Sequence, residues 1–124
     1  MALHENTNEL WAFGAQTTQA FVPDLQTTFA PLRTMNEGCG APASVIRVDD
    51  GFAWLSQRDQ FVFSPGRGSE VISGLIGSSL HGLGTTADCW GFRANLDGWD
   101  LLVWVFPTEG RTFCYERGSK RWSE

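Results

Sequence analysis

Basic residues are scarce in this chain. Nine Lys and Arg stand against 14 Asp and Glu, for a formal net charge of −5. A surface that grips duplex DNA needs clustered Lys and Arg, so this balance argues against that role. Potential metal ligands are few as well. The only histidines are His4 and His81, and the three cysteines, Cys39, Cys89 and Cys114, include no CxxC pair. No metal or other cofactor site is expected from that spacing. An odd number of cysteines also makes a poor disulfide framework, so reduced, buried thiols are expected. No apolar run approaches the roughly 20 residues of a membrane-spanning helix. The first residues, MALHENTNEL, lack the basic region followed by an apolar one that marks a secretory leader. The expectation is a soluble chain made in a cytoplasm, with no membrane partner.

What the chain does have is aromatic mass and turns. Six Trp, nine Phe and 14 Gly occur in 124 residues, but a single Tyr. Glycine at that level implies many turns and few helices. A chain of this length makes one domain, or a piece of a larger one, and buries roughly two-thirds of its unfolded surface.

The stretch from Gly98 to Glu124 is the most regular. An aromatic and β-branched run from Trp99 to Phe106 is followed by the turn Pro107–Gly110. Arg111–Glu116 then alternates, with Phe113 and Tyr115 on one side and Thr112, Cys114 and Glu116 on the other. A second turn, Arg117–Lys120, leads to Trp122. Strand signals separated by short Gly and Pro turns predict an antiparallel meander, in which each strand pairs with its sequence neighbour. Upstream of it, Ala87–Arg93 reads as a strand and Asn95–Gly98 as a turn.

A similar unit precedes it. Ser44–Val48 is a predicted strand, and Asp49-Asp50-Gly51 carries the Asp-Gly signal of a type I′ hairpin. Phe52–Leu55 is the return strand, Gln57–Asp59 a turn, Gln60–Phe63 a strand, Ser64–Gly68 a loop and Glu70–Ser73 an outer strand. Residues 74–84 hold four glycines, each costing about 1 kcal/mol in a helix relative to Ala, so one short helical turn inside a loop is expected. Nearer the start, Glu9–Phe13 and Phe29–Arg33 read as short strands. Residues 1–7 read as a frayed end, 14–28 as a loop, and Asn36–Pro42 as a turn-rich connection. The chain is thus predicted to be all-β, a single domain of antiparallel four-stranded meanders. It has a partial unit at 9–33 and full units at 44–73 and 87–124. A repeat near 43 residues is that of four-stranded β-propeller blades. A closed propeller needs at least four blades. The chain therefore reads as a fragment of a larger propeller, as a sandwich, or as a part completed by other chains.

Read in order, these segments resemble the packaged-DNA stabilisation (tail accessory, or hub) proteins of short-tailed bacteriophages. The residues that carry the likeness are Glu9–Phe13, Gly38-Cys-Gly-Ala-Pro42, Asp50-Gly-Phe-Ala-Trp-Leu55, Gln60–Phe63, Glu70–Ser73, Trp104-Val-Phe-Pro107, Arg111–Tyr115 and Trp122. Members of that family are several times longer, segment 74–96 is richer in Gly than theirs, and the aspartate that often follows the last tyrosine is Glu116 here. The resemblance implies a structural, non-enzymatic virion protein assembled in the host cytoplasm. Such a protein sits in a ring of copies of itself below the portal and its adaptor. It holds further tail proteins and closes the DNA exit, with DNA only as passing cargo. The acidic balance fits a channel that must not bind the DNA it passes.

The six tryptophans (Trp11, Trp54, Trp90, Trp99, Trp104 and Trp122) read first as core, each contributing on the order of 2–3 kcal/mol when buried. Their alternative is an exposed stacking platform for sugars, which would make the chain a stand-alone propeller-like or lectin-like binding module. The expected structural core is Trp54, Leu55, Phe61, Phe63, Trp104, Phe106, Phe113, Tyr115 and Trp122. Cys89 or Cys114 with His81 would make a nucleophile and base, but no third orienting group is identifiable. Asp49, Asp50 and Asp59 read as turn residues rather than calcium ligands. Gly66-Arg-Gly68 is too short for a phosphate loop, and Ser78 and Ser79 lack a nucleophile-elbow pattern. No catalytic residue is expected.

Overall fold

The structure is a computed structural model. It describes residues 2–6, 9–14, 16–23, 29–35, 37–48, 51–65 and 69–124. Among these the chain is mostly antiparallel β, arranged as three four-stranded sheets, each ordered as the strands occur in sequence. The first comprises β1 (Ala2–Asn6), β2 (Glu9–Phe13), β3 (Thr18–Pro23) and β4 (Phe29–Met35). The second comprises β5 (Ile46–Val48), β6 (Gly51–Leu55), β7 (Phe61–Ser64) and β8 (Glu70–Val71). The third comprises β9 (Trp90–Leu96), β10 (Trp99–Phe106), β11 (Arg111–Glu116) and β12 (Arg121–Ser123). This is the strand order of a propeller blade, repeated three times.

Two expectations at the start of the chain are corrected. The stretch 1–7 contains strand β1, which pairs with β2 from Ala2↔Phe13 to Asn6↔Glu9. The stretch 14–28, expected to be a loop, contains strand β3, paired with both β2 and β4. The unit expected to be partial at 9–33 is therefore a complete sheet spanning Ala2–Met35. The strand signal is weak there because β3 opens on Thr18 and Gln19 and ends on Pro23, leaving no period-two apolar pattern, although Ala20 packs in the core. A smaller correction concerns Ser44, expected in a strand. It closes a 3-10 turn at Pro42–Ser44, where its hydroxyl donates to the Ala41 carbonyl at 2.6 Å and accepts the Leu55 amide at 2.9 Å.

The hairpin glycines divide into two kinds. Asp97 and Gly98 take φ of 50° and 84°, the pair of positive values a two-residue type I′ connection needs between β9 and β10. Gly51 does a different job from the one expected. It lies inside β6, and a Cβ there would sit 1.8 Å from the Ser64 carbonyl oxygen, so glycine permits close strand approach. The Asp49-Asp50 half of that hairpin signal, and Gly66-Arg-Gly68, lie outside the described residues. The predicted helical turn in 74–84 is present as a 3-10 turn, Gly74–Ile76, followed by α1 (Gly77–His81).

The sheets stack face to face, with the second in the middle. One face of it, carrying Phe52 and Trp54 on β6 and Val62 on β7, packs on Trp11, Phe13 and Ala20 of the first sheet. The opposite face, carrying Ile46, Val48, Ala53, Leu55 and Phe61, packs on Leu102, Trp104, Phe106, Phe113 and Tyr115 of the third. Phe63 and Trp122 are partly buried against that second cluster. Its centre is a stack of rings: Phe61 lies 4.2 Å from Trp104 and 5.3 Å from Trp122, both near parallel. The buried indoles also hold the connections. Trp54 Nε1 donates to the Gly38 carbonyl at 2.9 Å, Trp104 Nε1 to that of Ser44 at 2.8 Å, and Trp122 Nε1 to that of Ile72 at 2.8 Å. Satisfying a buried indole N–H in this way avoids a desolvation cost of about 1–3 kcal/mol.

Candidate functional site

Alternation along the third sheet divides its side chains between two faces. Leu102, Trp104 and Phe106 point to the second sheet and are buried. Gly91 lies opposite Trp104 on β9 and leaves room for its indole, since a Cβ there would meet Trp104 at 2.6 Å and Ile46 at 2.9 Å. The other face therefore carries Trp90, Phe92, Ala94 and Leu96 from β9, and Trp99, Leu101, Val103 and Val105 from β10. The ladder pairs them as Val105↔Trp90, Val103↔Phe92, Leu101↔Ala94 and Trp99↔Leu96. No described element covers these residues. Trp90 is 43% exposed, Phe92 42%, Leu96 61% and Trp99 56%, while Leu101, Val103 and Val105 are half-buried. Trp90 and Phe92 stack on each other with ring centroids 5.6 Å apart. A contiguous apolar patch of this kind marks an interaction surface.

The patch has a polar side. Thr112, Cys114 and Glu116 of β11 continue the same rows, with Ser123 and Arg121 of β12 opposite the last two. Here lies a shallow groove of about 440 Å³, lined by Trp99, Leu101, Cys114, Glu116, Arg121 and Ser123 among others. The Glu116 carboxylate accepts from the Ser119 hydroxyl at 2.6 Å, the Ser119 amide at 2.5 Å and the Gly118 amide at 3.0 Å. Those bonds, led by the hydroxyl of Ser119, hold its pKa below the usual carboxylate range. At the end of the sheet, Arg93 and Arg117 both bind Asp100, at 2.8 Å and 2.9 Å. The hydrogen bond from Arg93 is the main cause that lowers the Asp100 pKa.

The residues considered for chemistry are dispersed or otherwise engaged. Cys89 is buried in the core between the second and third sheets, and burial pushes its thiol up to about 12. Burial also raises Cys114, which sits on the open face, and Cys39, whose thiol donates to the Ala41 carbonyl at 3.1 Å. All three thiols are unpaired with one another. His81 is exposed at the end of α1. Asp59 has φ of 56° in its turn and accepts from the Thr86 hydroxyl at 2.8 Å, which is a structural use of a turn aspartate. Among the described residues no cluster of three His, Cys, Asp or Glu is placed to hold a metal ion. No described helix is long and apolar enough to cross a membrane.

The tryptophans divide by position. Trp11, Trp54 and Trp104 are fully buried, Trp122 is half-buried, and Trp90 and Trp99 are exposed. The expected core includes Trp54, Trp104 and Trp122, and the exposed pair is not distinguished in the sequence from the buried Trp11. A signal for Trp99 is present in β10, which is apolar at both parities, the pattern of a strand covered on both faces. No family model and no curated protein sequence matches this chain.

Proposed function

We propose that this chain is a non-enzymatic assembly module: a structural component of a phage tail or head–tail connector that helps close the DNA exit and retain the packaged genome. The observation that carries the assembly part is the uncovered apolar face of the third sheet, with Trp90, Phe92, Leu96 and Trp99 exposed beside a fully packed core. A side chain that large is left in water at a cost of about 2 kcal/mol, which a partner's surface recovers. The virion setting rests on the ordered likeness to tail accessory proteins and on the acidic balance of −5. Its partners in this reading are copies of itself, portal or adaptor proteins and other tail proteins, with DNA passing through unbound.

The same face favours a second reading. Trp99 beside Glu116, Arg121 and Ser123 forms an open groove with one aromatic wall and hydrogen-bonding groups, the ingredients of a sugar site. Two measurements separate the readings. Mass spectrometry and immunogold labelling of particles made by the phage that encodes the chain should find it at the tail in several copies. Absence from the particles, with selective glycan binding by the purified protein on an array, would replace the first reading by the second.

A further inference from the structure

The open face of the third sheet has a pattern that identifies its occupant. Within the chain each sheet is covered by the next, and the second and third sheets each turn a second-strand tryptophan, Trp54 or Trp104, back onto the sheet before it. The first sheet does not repeat this. Its Trp11 faces forward, into the second sheet. On its outer side the ladder row Leu3↔Ala12↔Gln19 offers one exposed leucine, a small alanine and an exposed glutamine among the described residues. Among the described residues of that row there is no aromatic like Trp54 or Trp104.

The open face is, by contrast, complementary to itself. Consider a two-fold axis parallel to the sheet and just outside its open face, across the strands, between the row of Phe92 and Val103 and the row of Ala94 and Leu101. It lays β9 over β9 and β10 over β10, running in opposite directions. Phe92 then faces Ala94 of the other copy, Trp90 faces Leu96, and Trp99 faces Val105. Large thus meets small or aliphatic in each case, which is how packed layers interdigitate. On β11 and β12 the same operation sets Glu116 and Arg121 over Cys114 and Ser123 of the other copy, so no charge is forced onto a like charge. Aligned sheet packing tolerates a rotation of about 30° from strict alignment. Four strands about 4.8 Å apart and some 20 Å long give a footprint of roughly 380 Å² per partner, well under a standard interface, which fits a weak and transient pair.

We infer that two copies of this chain pair through the open faces of their third sheets, as a closed two-fold dimer of modest affinity. This deepens the assembly reading, on which it rests, by making the pair the elementary step. Sedimentation velocity on the full chain over a range of protein concentrations tests it. The expected result is a monomer–dimer equilibrium that saturates at the dimer. Phe92→Asp and Trp99→Ser, with near-ultraviolet circular dichroism unchanged, should each weaken it by at least about tenfold. Leu3→Asp, on the outer side of the first sheet, should leave it unchanged. A monomer at every concentration, open-ended growth, or a dimer sensitive to Leu3→Asp and insensitive to Trp99→Ser would overturn the pairing. Finding the chain in particles alongside any of these results would leave the assembly reading standing and remove only the pair.

Discussion

Strands β6 and β10 are the same kind of strand in two different surroundings. Each is the second of its meander, and each is apolar at both parities. In β6 all five residues are buried, because the first sheet covers Phe52 and Trp54 while the third covers Ala53 and Leu55. In β10, Leu102, Trp104 and Phe106 are buried, and Trp99, Leu101, Val103 and Val105 are not. The difference teaches that the open side of the third sheet is composed like an interior. Equivalent side chains on its two sides should therefore respond to mutation in opposite ways, through stability on the covered side and through association on the open side.

The largest effect is expected on the covered side. Trp104→Ala removes an indole packed on Phe61 and bonded to the Ser44 carbonyl, and should cost about 3–5 kcal/mol in urea denaturation. A loss below about 1 kcal/mol would mean that this indole is not core. Gly91→Val comes next. The added carbons collide with Trp104 and Ile46, and overpacking of this sort costs about 1–3 kcal/mol. Trp99→Ala, on the open side, should stay within about 0.5 kcal/mol for the monomer, and a loss like that of Trp104→Ala would erase the contrast between the faces.

A subtler test uses pH. The Cys89 thiol is raised to about 12 in the folded chain, so the folded state favours the protonated form. Its contribution is fully present below the unfolded thiol's pKa of about 8.5 and is lost as pH rises toward 12. Urea midpoints should therefore decline above that lower limit, and Cys89→Ala should flatten the decline; an unchanged slope would contradict the burial of this thiol. The smallest effect concerns the acidic balance. Purified protein should bind duplex DNA weakly and in a salt-sensitive way, whereas submicromolar affinity at physiological salt would contradict a channel that lets DNA pass.

The third sheet was the most legible in sequence. Trp99–Phe106 and Arg111–Glu116 are strands to the residue, and the turns at Pro107–Gly110 and Arg117–Lys120 lie between them as expected. Aromatic and β-branched alternation bounded by glycine turns is a local signal and needs no tertiary help. The first sheet was least legible, because β1 carries His4, Glu5 and Asn6 while β3 opens on Thr18 and Gln19 and ends on Pro23, so neither shows the period-two apolar pattern of a strand. Gly51 was assigned the wrong reason, as a chain reversal and a close strand approach both ask for glycine. The open face lay half in view. Apolar residues at both parities of β10 announced two buried faces, but which tryptophans lacked a cover depended on sheet order, which no local pattern encodes.

The central claim is that these aromatic rows exist to be covered, two faces inside the chain and one by another copy. Fluorine NMR of protein labelled with 5-fluorotryptophan addresses it directly, with resonances assigned by Trp-to-Phe variants. On raising protein concentration, the signals of Trp90 and Trp99 should move together and those of Trp11, Trp54 and Trp104 should stay fixed. Signals that are all independent of concentration, or movement among the three buried indoles, would contradict it.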